Sequence, residues 1–305
     1  MPTLPTERSA RRALDEGALA RVTQRLQTAP DPPWLHVEVA RRMAERLPVI
    51  KLQPEAVIDW GAFVGGSRQV LAQAYPAARL LAVEAGKYRR DATATALALP
   101  WWRPQRWAGP RHQVFNQDDL PADQGQLLWA NMQLHGAIDP QALMSRWHGA
   151  LAVGGFLMFS TLGPGSLPEL RTLYAQAGWP PPFAPFVDMH DLGDMLVAAG
   201  FADPVMDQET VTLTWPSPQA LLAELRGLGG NVDPARGAGL RTPRWRGRLE
   251  ALLQKTASPS GRLALRFEVV YGHAFKAAPR HRVAAETAVP LQDMQTMIRQ
   301  GRRRV

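Results

Sequence analysis

The sequence predicts an α/β protein built on a doubly wound, mostly parallel sheet, with an inserted helical cover on the substrate side. Three observations lead there. From residue 34 to residue 160, short apolar runs of strand length alternate with helix-period segments, the pattern of βα units whose strands run parallel. The first run, Ala56-Val57-Ile58-Asp59, ends in an acid and a glycine-bearing turn, Trp60-Gly61-Ala62-Phe63-Val64-Gly65-Gly66, before a helix begins. After Thr161 the alternation gives way to Pro- and Gly-rich connections and helical stretches, as an insertion over the carboxyl ends of the strands would.

Residues 34–47 read as an amphipathic helix, because Leu35, Val39, Met43 and Leu47 fall four apart on one face. Strand 56–59 and helix 67–74 form the first βα unit. The next apolar run, 79–83, ends at Glu84, and further strands are expected at 112–116 and 126–130. Between them Pro100-Trp101-Trp102-Arg103-Pro104 reads as loop, with Trp101, Trp102 and Trp107 there for local packing or for stacking on a ligand.

Helix 140–150 is followed by Gly154-Gly155 and then by buried strand 156–160. Past the turn Gly163-Pro164-Gly165 come helix 167–177, a Pro-rich connection at 178–185, and helix 191–199 ending at Gly200. Asp188, ahead of His190 and Asp191, reads as a cap for that helix rather than as part of an acid–base cluster. Strand 204–215, helices 218–228 and 244–256, and strand 263–274 follow, the two strands expected as an antiparallel pair closing the sheet. The organisation is therefore an extension at 1–33, one α/β domain at 34–277 with its cover at about 162–187 and a helical segment at about 217–257, and a basic tail at 278–305.

Hydrophobic residues make up 46% of the 305 and charged residues 20%, which supports a packed core. The absence of cysteine excludes disulfides, thiolate nucleophiles and cysteine-ligated zinc. Lys and Arg exceed Asp and Glu by 8, so acidic partners are favoured. Arg236, Arg241, Arg244, Arg246 and Arg248 and the tail arginines Arg299, Arg302, Arg303 and Arg304 concentrate that charge, without a nucleic-acid-binding motif beside them. The first twenty residues hold no apolar signal region, and no apolar run approaches membrane-spanning length. A cytoplasmic protein without membrane or nucleic-acid partners is expected.

No HExxH, GxSxG or Walker pattern occurs, which removes support for metallohydrolase, serine hydrolase and ATPase readings. The turn after Asp59 is the first candidate site, since Gly61 and Gly65 let a ligand approach the backbone closely. A nucleoside cofactor and an ordinary connection both fit it. Glu84, ending the second strand, can accept hydrogen bonds from both ribose hydroxyls. Asp118 and Asp119 follow the third strand, where one could meet an adenine amino group, or serve as ordinary loop residues. Asn131 and His135 reach the same sheet edge from the fourth strand.

Four ordered blocks carry a resemblance. They are Phe156-Leu157-Met158-Phe159-Ser160-Thr161-Leu162-Gly163-Pro164-Gly165-Ser166-Leu167-Pro168-Glu169-Leu170-Arg171, Pro185-Phe186-Val187-Asp188-Met189-His190-Asp191-Leu192-Gly193-Asp194, residues 200–207 and residues 267–274. Across residues 34–277 the chain resembles the malonyl-acyl-carrier-protein O-methyltransferases of biotin synthesis, the BioC family. The resemblance implies a class I methyltransferase fold, Rossmann-like, with S-adenosylmethionine over Asp59, Gly61, Gly65 and Glu84, and with Asp118 and Asn131 also at the cofactor.

It further implies an acceptor carboxylate of malonyl-acyl carrier protein, or malonyl-coenzyme A, held by Arg171 with Tyr271 and His273. No metal is implied, and the basic segment from Arg236 to Arg248 is the expected dock for an acidic carrier protein. Three departures stand out: Phe63 replaces the middle glycine of the family's turn and is expected to press on the methionine end of the cofactor, Glu84 replaces an aspartate, and Gly136 replaces an aromatic after His135. Two other readings stay open. One is a catalytically silent binding or assembly protein; the other is a hydroxylase-like assembly factor, since a mitochondrial complex I assembly factor of this kind shares the Leu-x-Glu-Leu-Arg pattern of 167–171.

Overall fold

Ala56–Trp60 (β1) is buried along its whole length, as a strand paired on both edges and covered on both faces must be. It runs parallel to Arg79–Glu84 (β2) and to Gly125–Ala130 (β4). Outside them, His112–Asn116 (β3) pairs with β2 and Leu151–Leu162 (β5) with β4, again in parallel. Leu263–Phe275 (β7) then runs antiparallel between β5 and Ala202–Trp215 (β6). The order is β3-β2-β1-β4-β5-β7-β6, the doubly wound sheet with its antiparallel closing pair. The computed structural model describes residues 11–98, 112–237, 239 and 241–278. The loop at Trp101, Trp102 and Trp107 and the tail from residue 279, with its arginines, lie outside them.

The helices are Glu16–Thr28 (α1), Trp34–Ala44 (α2), Ala62–Gly65 (α3), Arg68–Ala74 (α4), Lys87–Leu97 (α5), Pro140–Ala150 (α6), Pro168–Gln176 (α7), Met189–Ala198 (α8), Pro218–Leu228 (α9) and Pro243–Gln254 (α10). Side-chain caps fix several starts. Asp139, Ser217 and Thr242 each precede a proline at the first helical position and accept an N–H from the third residue on, pairing the cap with a preset φ. Asp188 accepts the His190 N–H at 2.8 Å, which is the capping role read from its position.

Two elements escaped the apolar spacing. Helix α1 lies inside the stretch read as an extension, started by Asp15, which accepts the Ala18 N–H at 2.8 Å. Helix α5 buries only Arg89, so it has no apolar stripe for periodicity to reveal. Helix α2 stops at Ala44 rather than at 47, and Leu47–Val49 forms a 3-10 turn; Pro48 disfavours helical backbone at the residue before it. One core packs α2, α4, α7, α9 and α10 on one face of the sheet, and a second packs α6 and α8 on the other. Among the described residues no helix is long and apolar enough to cross a membrane.

Candidate functional site

The carboxyl ends of β1, β2 and β4 open into a cavity of about 880 Å³. Trp60, Gly61, Glu84, Met132, Gln133 and His135 form its sheet end. Leu19, Val22 and Leu26 of α1, Phe183 and Phe186 of the Pro-rich connection, Leu222 and Leu225 of α9, and Trp245 and Leu249 of α10 enclose it. Among the described residues, five arginines also line it, Arg12, Arg25, Arg226, Arg241 and Arg246, against a single acid, Glu84. The space is therefore apolar-walled, positively biased and large enough for two small ligands side by side.

Gly61 sits at φ +69° and caps α3. A Cβ there would lie 2.2 Å from Oε1 of Gln133, so both the backbone angle and the close amide require glycine. Gln133 is fixed in turn by donating to the Asn131 carbonyl at 3.0 Å. Gly65 lets α3 approach the end of β4, where an added Cβ would meet the Asn131 carbonyl at 3.3 Å.

Phe63 does not press into the cavity. It belongs to α3, is absent from the cavity wall, and stacks under the Arg89 guanidinium at 3.4 Å. Arg89 donates through Nε to the Gln27 carbonyl at 2.6 Å and through Nη2 to the Ala29 carbonyl at 3.0 Å. The aromatic ring thus supports the end of α1 through Arg89.

Glu84 faces the cavity and accepts the Phe63 N–H at 3.0 Å and the Thr93 hydroxyl at 2.7 Å, both on Oε1. Burial raises its carboxyl above the usual range, opposed by those two donors and by Arg89. Asp59 is fully enclosed instead. Neither of its oxygens has a partner among the described residues, and burial together with the charge of Glu84 pushes its carboxyl well up. It lies beneath the glycine turn, not on the cavity wall.

Asn131 is also spent internally. Its amide donates to the carbonyls of His36 (2.7 Å) and Gly65 (2.6 Å), and its oxygen accepts from Ser160 at 2.6 Å. It braces the turn and does not line the cavity. Asp118 turns outward to Arg146 at 2.8 Å, and Gln117 beside it is the residue that lines the cavity. Asp118, expected at the adenine, thus stands at an exposed turn after β3 with its carboxylate on Arg146 rather than on the cavity wall.

None of the three expected carboxylate ligands, Arg171, Tyr271 and His273, lies on the cavity wall. The Arg171 guanidinium donates to the Pro164 carbonyl at 2.9 Å and tops the Phe183 ring at 5.3 Å. In the same turn, Ser166 bonds both the carbonyl and the N–H of Glu268, and Glu169 pairs with Arg266 at 2.6 Å. The blocks at 156–171 and 267–274 therefore meet as a clasp between β5, α7 and β7. Tyr271 donates its hydroxyl to Glu209 at 2.5 Å with Arg46 over its ring at 3.8 Å, and His273 packs edge-on against Phe275.

Of the basic segment, Arg236 is tied to Asp15 and Arg246 to Glu250. Arg241 stacks on Trp245 at 3.9 Å, while Arg241, Arg244 and Arg248 are exposed.

Sequence reasoning missed Arg12, His36 and Gln133, and it set His135 aside. His36 donates its Nδ1–H to the Val64 carbonyl, 2.8 Å away, and burial pulls it down to about 4. His135 stands edge-on to it at 6.1 Å and is pulled down to about 3 by burial, by His36 and by Arg12. Both are neutral at pH 7. Two cavity residues, Met132 and Leu167, hold φ near +55° without being glycine, a strain that clusters at ligand sites. No spacing signal marks any of these residues. Only the position of His135 past the fourth strand hints at one.

No protein-family model matches the chain. It is 38% identical over 251 residues to a malonyl-[acyl-carrier protein] O-methyltransferase of Gallionella capsiferriformans, covering 81% of this chain and 85% of that one. It is 36% identical over 253 residues to the protein of the same name from Laribacter hongkongensis, covering 81% and 84%. Among solved structures, the YcgJ protein of Bacillus subtilis superposes with a TM-score of 0.51 at 11% identity, over 79% of this chain and 99% of that one, which bears on the fold alone. With relatives of this identity spanning four fifths of its length, the chain belongs to the malonyl-[acyl-carrier protein] O-methyltransferase family.

Proposed function

We propose that the chain transfers a methyl group from S-adenosylmethionine to the free carboxylate of malonyl carried on acyl carrier protein, in the pimeloyl branch of biotin synthesis. The observation that carries this reading is one continuous cavity. It runs from the bare Gly61 turn and the Glu84 carboxylate to arginines on the cover. The residues present fit the cofactor: Gly61 leaves backbone uncovered by any Cβ, and both donors to Glu84 use Oε1, leaving Oε2 for the ribose hydroxyls.

Bound there, S-adenosylmethionine supplies a sulfonium methyl, which a carboxylate oxygen takes as the C–S bond breaks and its electron pair stays on sulfur. The acceptor is already an anion, so no general base is required. The apolar wall of Leu19, Val22, Leu26 and Phe186 excludes water and holds the reactants in line, so catalysis is chiefly positioning. The product has its distal charge masked and can enter apolar chain-extending sites at far lower desolvation cost.

Arg241, Arg244 and Arg248 form the dock for the acidic carrier, and the reaction is placed in the cytoplasm with that carrier. Arg236 is left out because Asp15 holds it. The test is calorimetry of the full chain with S-adenosylmethionine, followed by mass spectrometry of malonyl-acyl carrier protein for the methyl ester. Cofactor binding and ester formation are expected; saturating cofactor without ester would move the activity to another acceptor, and no cofactor binding would end the transferase reading.

A further inference from the structure

We infer that Arg12 and His135 form the subsite that grips the acceptor's free carboxylate, a reading that rests on the function proposed above. Arg12 precedes α1, and its backbone N–H donates to the Ile138 carbonyl at 2.7 Å. Its side chain donates from Nη1 to the His135 carbonyl and from Nη2 to the Pro185 carbonyl, each at 2.6 Å. Two elements thus orient the guanidinium, yet neither neutralises it. Among the described residues it has no ion pair, and the one acid on the cavity wall, Glu84, is held by Phe63 and Thr93. A guanidinium carries five N–H groups, so some remain for a ligand after the carbonyls are served.

His135 supplies the second half. It lines the same cavity, packed edge-on by His36 at 6.1 Å and by Phe186 at 6.3 Å, and its buried Nδ1 has no hydrogen-bond partner among the described residues. An unpaired ring nitrogen in that position is costly unless something polar arrives. A planar carboxylate answers both groups, one oxygen meeting the fixed N–H array while the other points at the methyl donor.

Placement agrees. His135 stands two residues beyond Gln133, whose amide lies over Gly61, so the subsite adjoins the cofactor edge, whereas Arg226 and Arg246 lie on the cover helices. The pair would select a charged malonyl thioester over an uncharged acyl group of the same shape.

The test measures dissociation constants of malonyl-pantetheine and of its uncharged isostere acetoacetyl-pantetheine on the full chain. It compares wild type, Arg12→Gln, Arg12→Lys and His135→Asn, with cofactor affinity measured alongside. Wild type is expected to prefer the malonyl thioester by roughly 100-fold or more, as a charge-assisted contact in a water-poor site does. Arg12→Gln should cut that preference at least about 10-fold and Arg12→Lys should restore part of it. His135→Asn, which keeps the backbone carbonyl that Arg12 uses, should cut it several-fold.

Arg12 also ties the connection at Pro185 to the sheet, and a merely loosened cover would weaken both thioesters alike. An unchanged preference in Arg12→Gln would therefore overturn the subsite, even with total affinity reduced. Absence of methyl ester from wild type would instead overturn the proposed function, and this subsite with it.

Discussion

Replacing Gly61 by alanine should destabilise the fold and abolish cofactor binding together. The residue holds φ +69°, where a Cβ costs about 1–2 kcal/mol. The new methyl would also sit 2.2 Å from Gln133 Oε1 and 2.3 Å from its Cδ. Gln133 can swing away, because these atoms end a flexible side chain, but it then gives up its 3.0 Å hydrogen bond to the Asn131 carbonyl, worth about 1 kcal/mol.

The sum is about 2–3 kcal/mol, or a fall in melting temperature of roughly 3–5 °C for a protein of this size. The assay is urea denaturation paired with calorimetry against S-adenosylmethionine. A double substitution, Gly61→Ala with Gln133→Ala, separates the terms: relative to Gln133→Ala alone, adding Gly61→Ala should cost only the backbone share, about 1–2 kcal/mol. A loss below about 0.5 kcal/mol in the single variant, or full retention of cofactor affinity, would refute the account of the turn.

Four further outcomes are expected. Phe63→Ala should lower stability by about 1–2 kcal/mol through loss of the stack under Arg89, while calorimetry finds cofactor affinity changed less than about 3-fold; a large gain in affinity would restore the view that the ring obstructs the site. Arg171→Ala should leave kcat/KM for malonyl-acyl carrier protein within about 3-fold of wild type, since the side chain serves the 163–167 turn outside the cavity.

His36 is held neutral in the fold down to about pH 4, whereas the unfolded chain takes up that proton near pH 6.5. Unfolding therefore absorbs a proton between those values, and stability falls as pH drops. Asp59 and Glu84, whose carboxyls are raised, act in the opposite sense but are common to both proteins compared. Set against His36→Gln, wild type should lose about 1.4 kcal/mol per pH unit below 6.5, near 3 kcal/mol in all; parallel stability curves from urea melts would count against it. Reversing Arg241, Arg244 and Arg248 to glutamate should slow turnover of malonyl-acyl carrier protein at least about 10-fold at low salt and much less at high salt, with cofactor affinity preserved.

The strands and caps were legible because local rules decide them. Ala56-Val57-Ile58 could only be a buried strand, Asp188 preceded a helix that needed a cap, and helices α6 and α9 fall at the residues their spacing predicts. Glu84 was legible for the same reason, since the end of a strand fixes where a carboxylate lies. What stayed illegible shares a different cause. Arg171 and Tyr271 stood in the blocks that carry the resemblance and Asn131 just past the fourth strand, yet each meets a partner inside the protein: the Pro164 carbonyl, Glu209, and Ser160 with the His36 and Gly65 carbonyls.

The sequence by itself thus determined the order of βα units, the bare glycine turn, the acid ending the second strand and the family to which these blocks point. Only the tertiary structure decided which polar groups face the cavity. Arg12 and His135 are 123 residues apart, and α1, which looked like an appendage, closes the cavity with α9 and α10. Strand and cap rules act over a few residues, whereas the orientation of a side chain depends on competition among partners that only the folded chain brings together.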